Sequence, residues 1–300
     1  MTTAALTAAR VAPVPSRVSD YWALIKPGIV AMVVMTSLAG YLAGMEGPLS
    51  FSHLAAALLG TAMAAAGGAA LNMALEVRVD GRMLRTASRP LPAGRVHAAE
   101  AVVLAVLLSF AGYALLAARS GGLAALLAAA TTLVYGGIYT PLKVRSRAAL
   151  LVGAVSGALP PLIGYAAAAG RLDRTAFILF AVLFFWQVPH FLALAWIYRE
   201  DYARAGMRFP PVTDASGAST SSQAITYSLL FAAAALTPVA FGASALYALV
   251  AAATCAPFVV FAFAFAKDRT TRRARGLFLA SITTLPAVLT WLVLQKLFTL

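Results

Sequence analysis

The chain has 300 residues, 62% of them hydrophobic and only 11% charged, and its mean hydropathy is +0.86. A soluble domain does not have this composition. Lys and Arg total 23 against 10 Asp and Glu, but the basic residues sit in short loops between apolar segments, a pattern that excludes a nucleic-acid partner and points to a lipid bilayer.

Residues 1 to 20 form a polar leader without a long apolar core, which reads as a disordered cytoplasmic tail ahead of one membrane domain spanning 21–300. Apolar segments then follow at about 22–45, 52–75, 97–117, 122–139, 149–168, 175–196, 223–242, 244–266 and 276–295. A bilayer core about 30 Å thick takes about 20 residues of helix. The expected fold is therefore all-α, a bundle of nine transmembrane helices around a central cavity. With the N-terminus inside, every basic residue except Arg119, Arg171, Arg174 and Lys296 falls on the cytoplasmic face, which fixes the orientation. Cys255 is the single cysteine; it excludes an intramolecular disulfide framework and reads as a small core or lipid-facing residue.

Where the second segment ends, the chain reads NMALEVRVDGRMLRTASRPLPAGR, from Asn72 to Arg95. Asn72, Glu76 and Asp80 recur every four residues, so a helix stacks them on one face, about 6 Å per step. Mg²⁺ takes such oxygen ligands, commonly one or two carboxylates together with substrate phosphates. Arg82, Arg85, Arg89 and Arg95 follow, and guanidinium groups pair with phosphate oxygens. The stretch predicts a magnesium diphosphate site at a membrane surface. Its plain alternative is a satisfied helix end with an ordinary basic flank.

The sixth segment ends WQVPHFLALAWIYREDYARAG, from Trp186 to Gly206. Pro189 is expected to kink that helix. His190 lies about two turns inside, either hydrogen-bonded across the bundle or serving as a ligand or proton-transfer group. Asp201 is expected at the depth of Asp80, with Arg199 and Arg204 around it; Glu200 and Asp201 also fit a solvated helix end. In YTPLKVRSR, Tyr139 to Arg147, the residues Tyr139, Lys143 and Arg145 are candidate substrate contacts, although a cytoplasmic flank alone explains the two cations. Lys26, before Pro27, is either a further phosphate contact or a snorkelling lysine. The run GAVSGALPPLIGY, Gly153 to Tyr165, is rich in small residues and predicts close packing beside room for a bulky ligand.

Taken together, NxxxExxxD with RTASRPLPAGR, then YTPLK, GAVSGALPPLIGY and WQVPHFLALAWIYREDYARAG resemble the protohaem IX farnesyltransferases, or haem O synthases, within the intramembrane aromatic prenyltransferases. The resemblance covers residues 20 to 215. It implies a bacterial inner-membrane enzyme with its active site on the cytoplasmic side, farnesyl diphosphate and haem B as substrates, and Mg²⁺ as cofactor. Asn72, Glu76 and Asp80 match the first acidic motif and Asp201 the second, making these four the implied metal ligands. Arg85, Arg89, Lys143 and Arg145 become the implied diphosphate clamps, with Asp80, Glu76, Asp201 and His190 implied in catalysis. Phe184, Phe185, Trp186 and Phe191 are the implied aromatic walls, and His190 is expected to position haem through its iron or a propionate. The sequence departs from the wider group at Glu76, which is one methylene longer than the usual Asp, and at Ile197, where a second acid four residues before Asp201 is missing.

The implied partners include a haem A synthase or a terminal oxidase that takes the product. A rival within the same class is prenyl transfer to a quinone precursor such as 4-hydroxybenzoate, which differs only in the acceptor pocket. A secondary transporter is a second alternative, but the charged groups gather at one surface rather than at the bilayer centre. A haem-carrying chaperone would have no use for Asn72, Glu76 and Asp80.

Overall fold

The computed structural model describes residues 16–298. Among the described residues the regular elements are all helical, and nine helices are long and apolar enough to cross a membrane. They are α2 (Pro27–Gly44), α3 (Phe51–Leu75), α5 (Ala98–Ser120), α6 (Gly122–Leu142), α7 (Ala149–Ala169), α8 (Arg174–Ile197), α11 (Ala218–Phe241), α12 (Ala245–Lys267) and α13 (Thr271–Phe298). Their ends lie within about five residues of those expected from hydropathy. Four short helices complete the chain: α1 (Arg17–Leu24), α4 (Val77–Asp80), α9 (Arg199–Arg204) and α10 (Pro210–Thr213).

The expected disordered tail needs correction where it overlaps the described residues; residues 1–15 lie outside them. Ser16 caps α1 by accepting from the Ser19 N–H at 3.2 Å, and Asp20 is buried against Arg95, whose Nε lies 3.0 Å from its carboxylate. This helix is thereby tied to the loop after α3. Between α1 and α2, Lys26 takes a left-handed conformation, φ 49°, and Pro27 starts the next helix. Proline fits the first turn because that position has no intrahelical partner for an N–H. The turn aims Lys26 back at α3.

Small residues let α2 and α7 approach closely. A Cβ on Gly40 would sit 1.9 Å from the Pro161 carbonyl oxygen, and one on Gly164 would sit 1.8 Å from that of Ser37. No larger residue fits either position, the result expected of GAVSGALPPLIGY. One apolar cluster joins α8 and α11 to α13 through Trp186, Phe231, Tyr247 and Phe258, and another joins α2, α3, α5, α6 and α7 around Leu116 and Ile163. The first half of the bundle thus surrounds small side chains and the second half large ones. In α6 the turns widen over Leu133–Tyr139 into a π-helical stretch, and the Thr140 hydroxyl donates to the Tyr135 carbonyl at 2.8 Å. Such bulges re-aim side chains at functional sites. α8 continues as one helix through Pro189.

Candidate active site

The helix carrying the four-residue column breaks at Glu76 and resumes as α4, and the column survives the break. Asn72, Glu76 and Asp80 line one cavity of about 90 Å³ at the end of the bundle. Lys26, Arg85, Arg89, Tyr139 and Lys143 line it too, so eight of the expected site residues converge there. Each oxygen donor meets a cation. Lys26 Nζ donates to Asn72 Oδ1 at 2.6 Å, Lys143 Nζ to Glu76 Oε1 at 2.6 Å, and Arg89 Nη1 to Asp80 Oδ2 at 2.7 Å.

The partners of these groups fix their orientation. Asn72 donates its Nδ2 to Thr140 Oγ1 at 2.8 Å and accepts from the Tyr135 hydroxyl at 3.3 Å. Its amide oxygen is thereby turned toward the cations. Lys143 also sits 4.3 Å from the Tyr139 ring centroid, within cation–π range. The Thr86 hydroxyl donates to the Asp80 carbonyl at 2.7 Å, closing the loop on its own start. Burial, aided by the Arg89 charge, brings the Lys26 ammonium down to about 8, because both disfavour its charged form.

Both carboxylates keep one oxygen, Glu76 Oε2 and Asp80 Oδ1, without a protein donor among the described residues, and both residues line the cavity. Two open carboxylate oxygens beside an amide oxygen are a donor set that fits Mg²⁺ when the remaining ligands come from a diphosphate and water. Among the described residues no three His, Cys, Asp or Glu side chains cluster as a metal cage. The protein therefore offers part of a coordination shell.

Asp201, expected as a fourth metal ligand, stands apart from this set. It is buried, but it does not line the cavity. Its Oδ1 accepts the Leu84 N–H at 3.1 Å and pairs with Arg204. Burial alone raises its carboxyl, yet the Arg204 and Leu84 hydrogen bonds outweigh that and hold it below the usual carboxylate range. Asp201 is a tie between the loop after α8 and the loop after α3. Next to it, Tyr202 faces the cavity, with its hydroxyl 3.5 Å from Arg85, and the Arg85 guanidinium lies 4.9 Å from the Tyr198 ring centroid.

Arg145 and Arg199 are exposed and outside the cavity; Arg199 lies over the Trp196 ring at 5.0 Å. His190 sits deeper, stacked with Trp186 and Phe278, its Nδ1 2.7 Å from Ser281 Oγ. Of the expected aromatic wall, only Phe191 reaches the cavity, while Phe184 stacks on Phe180 and Phe185 lies tilted against Tyr227. The wall is instead Tyr135, Tyr139, Tyr202, Phe191 and Phe209. The signals for it were modest: Tyr135 stands four residues before Tyr139, and Tyr202 follows Asp201.

Beneath this cavity lies an apolar chamber of about 330 Å³, walled by small residues of α3, α6 and α7 such as Ala64, Gly68, Ala128, Gly153 and Gly157. Tyr135, Tyr139 and Phe191 belong to both spaces. Thr61, deep in the chamber, is eleven residues from Asn72, about 16 Å along the helix. One molecule with a charged head and a long apolar tail fits the pair.

An apolar chamber within a membrane bundle, opening at one end on oxygen donors and arginines, defines an intramembrane enzyme that handles a lipid-tailed diphosphate. The chain belongs to the UbiA prenyltransferase family, whose profile matches residues 33–285. It is 44% identical over 285 residues to the protein named protoheme IX farnesyltransferase from Opitutus terrae, covering 94% of this chain and 96% of that one. It is 38% identical over 287 residues to the protein of the same name from Solibacter usitatus, covering 92% and 98%. Among solved structures, the fold is similar to a digeranylgeranylglyceryl phosphate synthase, with a TM-score of 0.78, 16% identity and coverage of 94% of this chain and 99% of that one. It is also similar to a UbiA homologue from Archaeoglobus fulgidus bound to DMAPP and Mg²⁺, with a TM-score of 0.66, 15% identity and coverage of 90% and 99%. The chain is a multi-pass membrane prenyltransferase.

Proposed function

We infer that the enzyme transfers the farnesyl group of farnesyl diphosphate to a vinyl group of haem B, with addition of water, giving haem O and diphosphate. The acceptor follows from the two full-length relatives named for it. The observation that carries the donor half is the wall shared by the two spaces, Tyr135, Tyr139 and Phe191. It puts the bond between head and tail beside aromatic faces.

The reaction begins when the bond between farnesyl C1 and the diphosphate oxygen breaks and negative charge grows on the leaving group. Arg85, Arg89, Lys26 and Lys143 surround that charge in fixed positions, so their stabilisation needs little reorganisation. Mg²⁺, held by Asn72, Glu76 and Asp80 with diphosphate oxygens, would supply Lewis-acid stabilisation of the same charge. The allylic cation is sheltered by the chamber and faced by Tyr135, Tyr139 and Phe191. The vinyl group forms a bond to C1, and water adds to the resulting cation and releases a proton. His190 positions the haem. By the distribution of basic residues, the site end of the bundle faces the cytoplasm, in a bacterial inner membrane, and the product goes on to a haem A synthase or a terminal oxidase.

The test is incubation of the purified protein with Mg²⁺, farnesyl diphosphate and haem B, with 4-hydroxybenzoate in parallel, and mass analysis of the products. A pigment heavier than haem B by one farnesyl group and one hydroxyl group is expected. Prenylated 4-hydroxybenzoate without haem O would replace this reading with its rival.

A further inference from the structure

Ser281, on α13, makes three contacts that together decide the state of His190 on α8. Its hydroxyl oxygen lies 2.5 Å from the Phe278 carbonyl oxygen, its own carbonyl accepts the Trp186 indole N–H at 2.8 Å, and its Oγ is 2.7 Å from His190 Nδ1. Two oxygens that close need a proton between them, and a carbonyl has none to give. The hydroxyl proton therefore points at Phe278. Ser281 Oγ meets Nδ1 with a lone pair, so Nδ1 carries the hydrogen.

Among the described residues the side-chain partner of His190 is Ser281 and no carboxylate pairs with it; an unpaired charge in this apolar setting is costly, so the ring is neutral. A neutral imidazole has a single N–H, which leaves Nε2 with its lone pair. Trp186 and Phe278 stack on the ring with centroids at 4.6 and 4.8 Å, so access is along the edge. Nε2 has no hydrogen-bond partner among the described residues, and His190 is half-buried, next in the chain to Phe191 on the cavity wall. A nitrogen in that state cannot donate to a propionate; it can take a metal. Imidazoles that bind metals are commonly held this way, with the other N–H given to an oxygen.

We propose that Ser281 is a positioning residue that fixes His190 as the Nδ1–H tautomer, so that Nε2 takes the iron of a porphyrin acceptor as an axial ligand. The proposal rests on haem B being the acceptor and chooses iron over propionate as the anchor. Ser281 contributes no atom to the transfer. Its hydroxyl acts only through the ring it holds.

The experiment uses the full chain in lipid nanodiscs, titrated with haem B in the absence of farnesyl diphosphate. Binding is followed in the Soret band, and the ferrous complex is examined for its iron–histidine stretch by resonance Raman. The wild type shows that stretch and His190→Ala lacks it. Ser281→Ala binds haem B about 10- to 100-fold more weakly, with the stretch shifted or lost, and Ser281→Thr, which keeps a hydroxyl, restores both. Wild-type affinity and an unshifted stretch in Ser281→Ala overturn the proposal, as does a stretch that persists in His190→Ala. Product formation is scored separately. A wild type that makes haem O without the stretch overturns the iron contact alone, whereas one that shows the stretch but makes no haem O supports the contact and overturns the reaction.

Discussion

The connection after α3 and the connection after α8 both leave an apolar span with acids followed by arginines, and they differ in where the acids turn. Glu76 and Asp80 spend one oxygen each on a cation, keep the other without a protein donor among the described residues, and line the cavity. Asp201 gives its Oδ1 to the Leu84 N–H and to Arg204, and its free Oδ2 lies outside the lining of the cavity. Both helices break at one residue and resume at once, Glu76 at φ −98°, ψ 7° and Tyr198 at φ −107°, ψ 23°; what differs is the partner, since the Leu84 N–H reaches Asp201. The first loop brings its acids to the cavity, and the second brings Tyr202 and Phe209 while its acid ties the two loops together, so equal composition does not make equal half-sites.

The largest effect that can break this comparison is expected at Asp80. Asp80→Asn should lower turnover by about a thousandfold, equivalent to about 4 kcal/mol of transition-state stabilisation, with the protein still folded by thermal melting in detergent. Glu76 is a poorer probe. Its partner Lys143 is almost as buried as it is, and removing one member of such a pair costs about 3–5 kcal/mol, so folding and catalysis are confounded. Arg89, the partner of Asp80, is 28% exposed and can relax into the cavity.

Next in size is the chamber. A Cβ on Gly68 would meet nothing closer than 3.7 Å, so Gly68→Leu fills space without a backbone clash and replaces glycine with a better helix former. It should raise the KM for farnesyl diphosphate about a hundredfold while leaving the haem B titration unchanged. Equal loss of both would mean that the chamber does not hold the tail.

Asp201→Asn is expected to cost about fivefold or less. The amide oxygen still accepts the Leu84 N–H, and Arg204 is 47% exposed, a pairing worth about 1 kcal/mol at most. A loss matching that of Asp80→Asn would restore Asp201 to the metal set. The smallest effect is expected for Arg145→Gln and Arg199→Gln, both on the surface, each within twofold of wild type in kcat/KM.

The sequence carried whatever depends on short-range periodicity. Nine apolar stretches and the column of Asn72, Glu76 and Asp80 were legible because bilayer thickness and helical rise act on neighbours in the chain. The brace at Asp201 was not, because it depends on an N–H from Leu84, 117 residues away in the chain. Nor was the partner of His190, since Ser281 lies 91 residues further on. The aromatic wall was misassigned for a related reason. Phe184 and Phe185 look available beside His190 in the sequence, but their side of α8 packs toward α11, while the widened turns of α6 bring Tyr135 and Tyr139 inward.

The central claim is that the diphosphate binds among Asn72, Glu76 and Asp80, while Asp201 ties the neighbouring loop. Direct binding of farnesyl diphosphate, with and without Mg²⁺, to the wild type, Asp80→Asn and Asp201→Asn tests it most plainly. The account predicts that Mg²⁺ strengthens binding to the wild type and to Asp201→Asn alike and fails to strengthen it in Asp80→Asn. A Mg²⁺ response that survives in Asp80→Asn, or disappears in Asp201→Asn, would contradict it.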